Sequence, residues 1–123
     1  MDYSQLSDFE INAEVFEALH GGSPDYKEGD NGEMLLVSFE ADVVGGDIVE
    51  VEVVRGSFNP CNNPVDAWQI ITENKISIYA AILGDSRGEW GAEASLTEHY
   101  HFHDNPLRAA MVVFLMMQEH ANA

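Results

Sequence analysis

The segment PLRAAMVVFLMMQE, from Pro106 to Glu119, constrains this chain more than any other stretch, because it starts like a helix and is apolar on nearly every side. Asp104 and Asn105 supply cap chemistry, and Pro106 suits the first helical position. Leu107, Met111, Val112, Val113, Phe114, Leu115, Met116 and Met117 then leave little polar face. A helix of this kind has to be covered on both flanks, either by the rest of its own core or by another subunit. The remainder of the chain must therefore supply cover, or the helix from Pro106 to Glu119 joins copies into a homo-oligomer.

Covering elements are legible upstream. Ser7 and Glu10 fit a capping box, with Leu6 and Ile11 at the staple positions, which predicts a helix from Asp8 to His20. Ile11, Val15 and Leu19 fall on one face with Phe16 beside them, Glu10, Glu14 and Glu17 face water, and Gly21 and Gly22 stop the helix. SPDYKEGDNG, residues 23 to 32, reads as a loop. The runs Met34 to Phe39 and Ile48 to Val54, joined through Gly45 and Gly46, read as a hairpin, and Glu50 and Glu52 alternate with valines in the second run. Asn63, Pro64 and Asp66 then open a helix to Glu73, whose inner face is expected to be Val65 or Trp68 with Ile71, and Asn74 closes it. Ile76 to Leu83 reads as a central strand, a weaker strand lies around Trp90, and Thr97 to His103 is a strand or extended lead-in.

The order helix, hairpin, helix, strands, helix predicts an α+β fold in which about three helices pack on a sheet. With 123 residues the chain is expected to form a single domain, residues 1–123. NPVDAWQII and NPLRAAMVV share N-P-x-x-A, which reads as cap chemistry used twice rather than a repeat.

The charge is lopsided: 22 Asp and Glu against 5 Lys and Arg give a formal net charge of −17. Residues 1–52 alone hold 14 carboxylates against one cation, Lys27. That field repels phosphate backbones and anionic lipid, so neither direct nucleic-acid contact nor membrane contact is expected. No apolar run approaches the roughly 20 residues of a membrane span and no basic-then-apolar leader opens the chain, so it reads as cytoplasmic. Cys61 is the single cysteine, consistent with a reducing compartment.

Few motifs carry chemistry. His99, His101 and His103, spaced by two, would share one face of a strand and are the candidate metal ligands, although neither HExxH nor a paired cysteine accompanies them. Cys61 lacks a recognised nucleophile signature and reads as a buried thiol near a helix start. Glycines never form GxGxxG or GxxxxGK[ST], and carboxylates are too abundant for any pair to mark an acid and base. Catalytic residues and cofactors are accordingly not expected. Trp68 reads as a core anchor, whereas Trp90 in GEWG is either ordinary packing or an exposed interface residue.

Three stretches carry a resemblance: MDYSQLSDFEIN, FNPCNNPVDAWQIITENKISI and NPLRAAMVVFLMMQE. Together they resemble the NinX family of lambdoid and P22-like bacteriophages. The resemblance implies a small phage or prophage protein of the host cytoplasm, without established enzymatic activity, and a three-layer α/β/α sandwich with a mostly antiparallel sheet. No active site comes with it. The matching residues Asn59, Cys61, Asn62, Asn63, Asp66 and Trp68 are either a shared binding surface or a demanding loop-to-helix junction in which buried Asn side chains satisfy backbone groups. The junction is the preferred reading.

The function expected from all this is non-enzymatic binding of a protein partner from host or phage, in its sharpest form by acidic imitation of a nucleic acid. The alternatives are a small-molecule binder or weak hydrolase with a pocket near Asn59 to Trp68, and a structural homo-oligomer.

Overall fold

A computed structural model describes residues 2–81, 87–95 and 97–121. The α-helices are α1 (Asp8–His20), α2 (Pro64–Glu73) and α3 (Pro106–Ala121), and the strands are β1 (Tyr26–Glu28), β2 (Met34–Val44), β3 (Asp47–Phe58), β4 (Ile76–Ala80), β5 (Trp90–Ala94) and β6 (Tyr100–His103). Single 3-10 turns occupy Tyr3–Gln5 and Asp30–Gly32. All strand pairings are antiparallel.

The α+β class, the three α-helices and the antiparallel pairing agree with expectation. The strands are nevertheless divided between two three-stranded sheets, β1-β2-β3 and β4-β5-β6. The element enclosed on all sides is α3, buried without a break from Arg108 to Leu115. It packs on β4, β5 and β6 and also against α1 and α2. The cover that its sequence demanded thus comes from the same chain. Ala109 and Ala110 on α3, and Ala92 and Ala94 on β5, are all buried, and their small size lets helix and sheet approach closely. At about 1.5–3 kcal/mol for each fully buried large apolar side chain, Met111, Val112, Val113, Phe114 and Leu115 contribute much of the driving force for folding.

Local signals set the element ends. The Ser7 hydroxyl accepts from the Glu10 amide at 3.1 Å, and the Glu10 carboxylate accepts from the Ser7 amide at 3.0 Å. Gly21 ends α1 in the left-handed conformation. Asn63 Oδ1 accepts from the Val65 amide at 3.0 Å to start α2. Gly45 and Gly46, with φ 61 and 89, turn β2 into β3 in the two-residue geometry that demands positive φ at both positions.

Several expectations need correction. Val65 is 83% and Trp68 66% exposed. α2 instead buries Ala67, Ile70 and Ile71, a set spaced by three and four, and Trp68 lies one residue out of phase with it. Leu19 is exposed with the rest of the last turn of α1, and the buried stripe is Ile11, Asn12 and Val15. The loop expected at 23–32 contains β1, because β2 offers its edge to it from Met34 to Leu36. The hairpin strands are also much longer than expected. Of the strand expected from Ile76 to Leu83, β4 accounts for Ile76–Ala80, and its predicted end lies outside the described residues.

Candidate functional site

The Asn-rich turn before α2 is a buried polar junction that ties four parts of the chain together. Asn12, fully buried on α1, donates to Asn59 Oδ1 at 2.7 Å and to the Gly32 carbonyl at 3.0 Å, while its own oxygen accepts from the Cys61 amide at 3.1 Å. Asn59 donates to the Asn31 carbonyl at 3.1 Å, and its amide donates to Asp66 Oδ2 at 2.9 Å. Asn105 donates to the Cys61 carbonyl at 2.7 Å and caps α3 by accepting from the amides of Leu107 and Arg108. Arg108 reaches back to Asp8 Oδ1 at 2.7 Å and to the carbonyls of Leu6 and Tyr3. The guanidinium sits near the positive end of α3, where the helix dipole disfavours it. Asp8 and the two carbonyls offset that.

Asn59, Cys61, Asn62, Asn63 and Asp66 thus come together as expected, but their polar atoms are spent on one another and on loop backbone. Cys61 is fully buried, and burial pushes its thiol up to about 12, the charge of Asp8 adding to the effect. It is not poised as a nucleophile. Asn59, Pro60 and Cys61 are themselves buried. Trp68 borders an open cleft with Ile71, Lys75 and Ile78. Sequence reasoning missed Asn12 and Arg108. The available signals were a lone Asn beside Ile11 and Val15, and a lone Arg in an otherwise apolar helix.

The histidines do not converge. His101 and His103 lie on β6, and His99 precedes it. His103 Nδ1 accepts from the Asn105 amide at 2.9 Å. His99 packs against His120 of α3, ring centroids 5.4 Å apart. His101 Nε2 is buried without a hydrogen-bond partner. Burial, His103 and Arg108 lower the pKa of His101, and burial and Arg108 lower that of His103. Among the described residues no three His, Cys, Asp or Glu side chains are arranged to hold a metal ion. An open cleft of about 450 Å³ lies between His99, His101, His120, Tyr3 and Glu119. There the Tyr3 hydroxyl donates to Glu119 at 2.7 Å.

GEWG is explained by close approach. A Cβ on Gly88 would fall 2.5 Å from the His103 backbone, and one on Gly91 would fall 2.6 Å from the Tyr79 ring. Trp90 starts β5 opposite His103 and is partly exposed.

The hairpin is itself a surface feature. β1 accompanies β2 only as far as Leu36, so beyond that point β2 and β3 form a two-stranded ribbon. Every residue from 39 to 52 is exposed, including Phe39, Val43, Val44, Ile48, Val49 and Val51. Cross-strand partners share a face. One face carries Val37, Phe39, Ala41 and Val43 against Val54, Glu52, Glu50 and Ile48, and the other carries Ser38, Glu40, Asp42 and Val44 against Val53, Val51, Val49 and Asp47. Each face therefore mixes apolar and acidic side chains, the acidic ones on β3 in the first face (Glu50, Glu52) and mainly on β2 in the second (Glu40, Asp42). Lys27 pairs with Glu52, and Arg55 pairs with Glu40.

No helix among the described residues is long and apolar enough to cross a membrane. No curated protein and no solved structure matches the chain. A family model described as "Bacteriophage P22, NinX" matches residues 2–118, which takes in the polar junction, the ribbon and nearly all of α3. The chain belongs to the bacteriophage P22 NinX family.

Proposed function

We propose that this phage protein acts by binding a positively charged protein of host or phage, without catalysis, and that the ribbon at residues 39–52 makes the contact. The supporting observation is a ribbon that leaves the core with aliphatic and acidic rows exposed on both faces. Folding gains nothing from exposing Ile48, which is 80% accessible. Exposed apolar patches rimmed by charge mark interaction surfaces. The acidic N-terminal half supplies attraction and fast encounter for a cationic partner. Imitation of a nucleic acid is not the form taken here, because Glu40 and Glu52 each share a cation of the chain and apolar side chains lie opposite the ribbon's other carboxylates.

The test is titration of the isotopically labelled protein with oligolysine, followed through its backbone amide resonances at low and at physiological salt. Shifts concentrated at residues 39–52, weakening as salt rises, are the expected result. Shifts spread evenly over all exposed carboxylates would overturn the assignment to the ribbon.

A further inference from the structure

We propose that the outer edge of β3 accepts an extended segment of the partner as a fourth, antiparallel strand, and that this segment alternates Lys or Arg with aliphatic residues. The inference rests on the cationic-partner reading above and specifies how contact is made.

Three observations carry it. First, β3 has β2 on one side and no strand on the other, and no backbone hydrogen bond to that outer edge occurs among the described residues. In a ladder closed by a two-residue turn, Asp47 faces Val44 as a hydrogen-bonded pair, so Ile48, Glu50 and Glu52 turn their amides and carbonyls outward. Unpaired edges of this kind template strand addition.

Second, the side chains beside that edge are sorted. An incoming strand would meet Ile48, Glu50 and Glu52 on one face and Val49, Val51 and Val53 on the other, at cross-strand Cβ separations of about 4.5–5.5 Å. Glu50 has no ion-pair partner among the described residues, and Glu52 shares Lys27. Cations on one face and aliphatics on the other complement both rows.

Third, the same rows discriminate against a second copy. Antiparallel pairing of β3 with itself would set Glu50 and Glu52 against their own kind, in a chain already at −17. Like charges directly opposite are destabilising. The edge is thus closed to itself and open to its charge complement.

The test uses fluorescent peptides of about seven residues, enough to span residues 48–54, alternating Lys and Val, with binding read by anisotropy. In antiparallel addition the residue opposite Glu50 exchanges both hydrogen bonds with it. N-methylation of every Lys should therefore weaken binding about tenfold or more, while N-methylation of every Val, whose amides point away, should leave it within about twofold. Glu50→Lys should weaken the unmethylated peptide about tenfold, and bound peptide should protect the amides of Ile48, Glu50 and Glu52 from exchange. Equal binding by both methylated peptides would refute strand addition and leave the cationic-partner reading standing. Absence of binding by every peptide and by oligolysine at low salt would sink both.

Discussion

At the scale of single residues, the polar junction is held by side chains that satisfy buried backbone. Asn12 makes three hydrogen bonds from a fully buried position, and no other residue type supplies both donors and acceptor in that shape. Asn12→Ala strands the Cys61 amide and the Gly32 carbonyl and leaves Asn59 Oδ1 with Asn62 as its donor. At about 1–3 kcal/mol for each buried unsatisfied group, the expected loss is about 2 kcal/mol or more, read as a lower urea midpoint. Asn63→Ala removes only a helix cap and should cost about 1 kcal/mol, so the two variants separate junction from cap. Cys61 offers a second check. Its folded pKa, about 12, lies above the 9.0 of an exposed thiol. The folded state therefore retains the proton, and this contribution is complete below about pH 9 and fades as pH climbs toward 12. At pH 8 a disulfide reagent should label Cys61 slowly in the native protein and rapidly beyond the urea midpoint. Prompt labelling of the native protein would contradict the burial described.

At the scale of elements, the junction of β6 and α3 carries a pH dependence of known sign. Burial and Arg108 depress the folded pKa of His103, and its Nδ1 has to stay unprotonated to accept from Asn105. Stability from a depressed histidine is present above its ordinary value of about 6.5 and is lost as pH falls below it. His103→Asn keeps an acceptor but cannot titrate. It should lose less stability than the wild type between pH 7 and pH 5, when the Tm difference is followed against pH, and equal losses would exclude His103 as the source. What was legible beforehand follows the same local logic. Ser7 with Glu10, Asn63 with Pro64, and Gly45 with Gly46 fix element ends through contacts only a few residues apart, and each appears where the sequence placed it. Trp68 was misplaced because bulk suggested burial while helix phase, set by Ala67, Ile70 and Ile71, turned it outward. Asn12 and Arg108 were missed because their partners lie 47 and 100 residues away, at Asn59 and Asp8. The packing of α3 on β4, β5, β6, α1 and α2 joins segments far apart in the chain, which no local pattern encodes.

At the scale of the molecule, the net charge of −17 bears on self-association. α3 buries its apolar surface against β4, β5, β6, α1 and α2 of its own chain. Beside the exposed Val65 and Trp68, the surface able to assemble includes the β2–β3 ribbon, with valines on both faces and an open edge on β3. Long exposed edges normally aggregate unless charge or coverage blunts them. Here the blunting falls to Glu50 and Glu52, assisted by a net charge of −17 that opposes approach of a second copy. By light scattering at neutral pH the protein should behave as a 13.6 kDa monomer. It should begin to associate as pH falls toward its pI near 4.2, where the carboxylates lose their charge. Glu50→Val combined with Glu52→Val should bring that association up to neutral pH, more strongly at 0.5 M salt than at 0.05 M, since salt screens the repulsion left on the rest of the surface. Both substitutions lie outside the core, so the Tm of the monomer should change little. A double variant that stays monomeric at high salt and high concentration would show that these two carboxylates do not guard the edge.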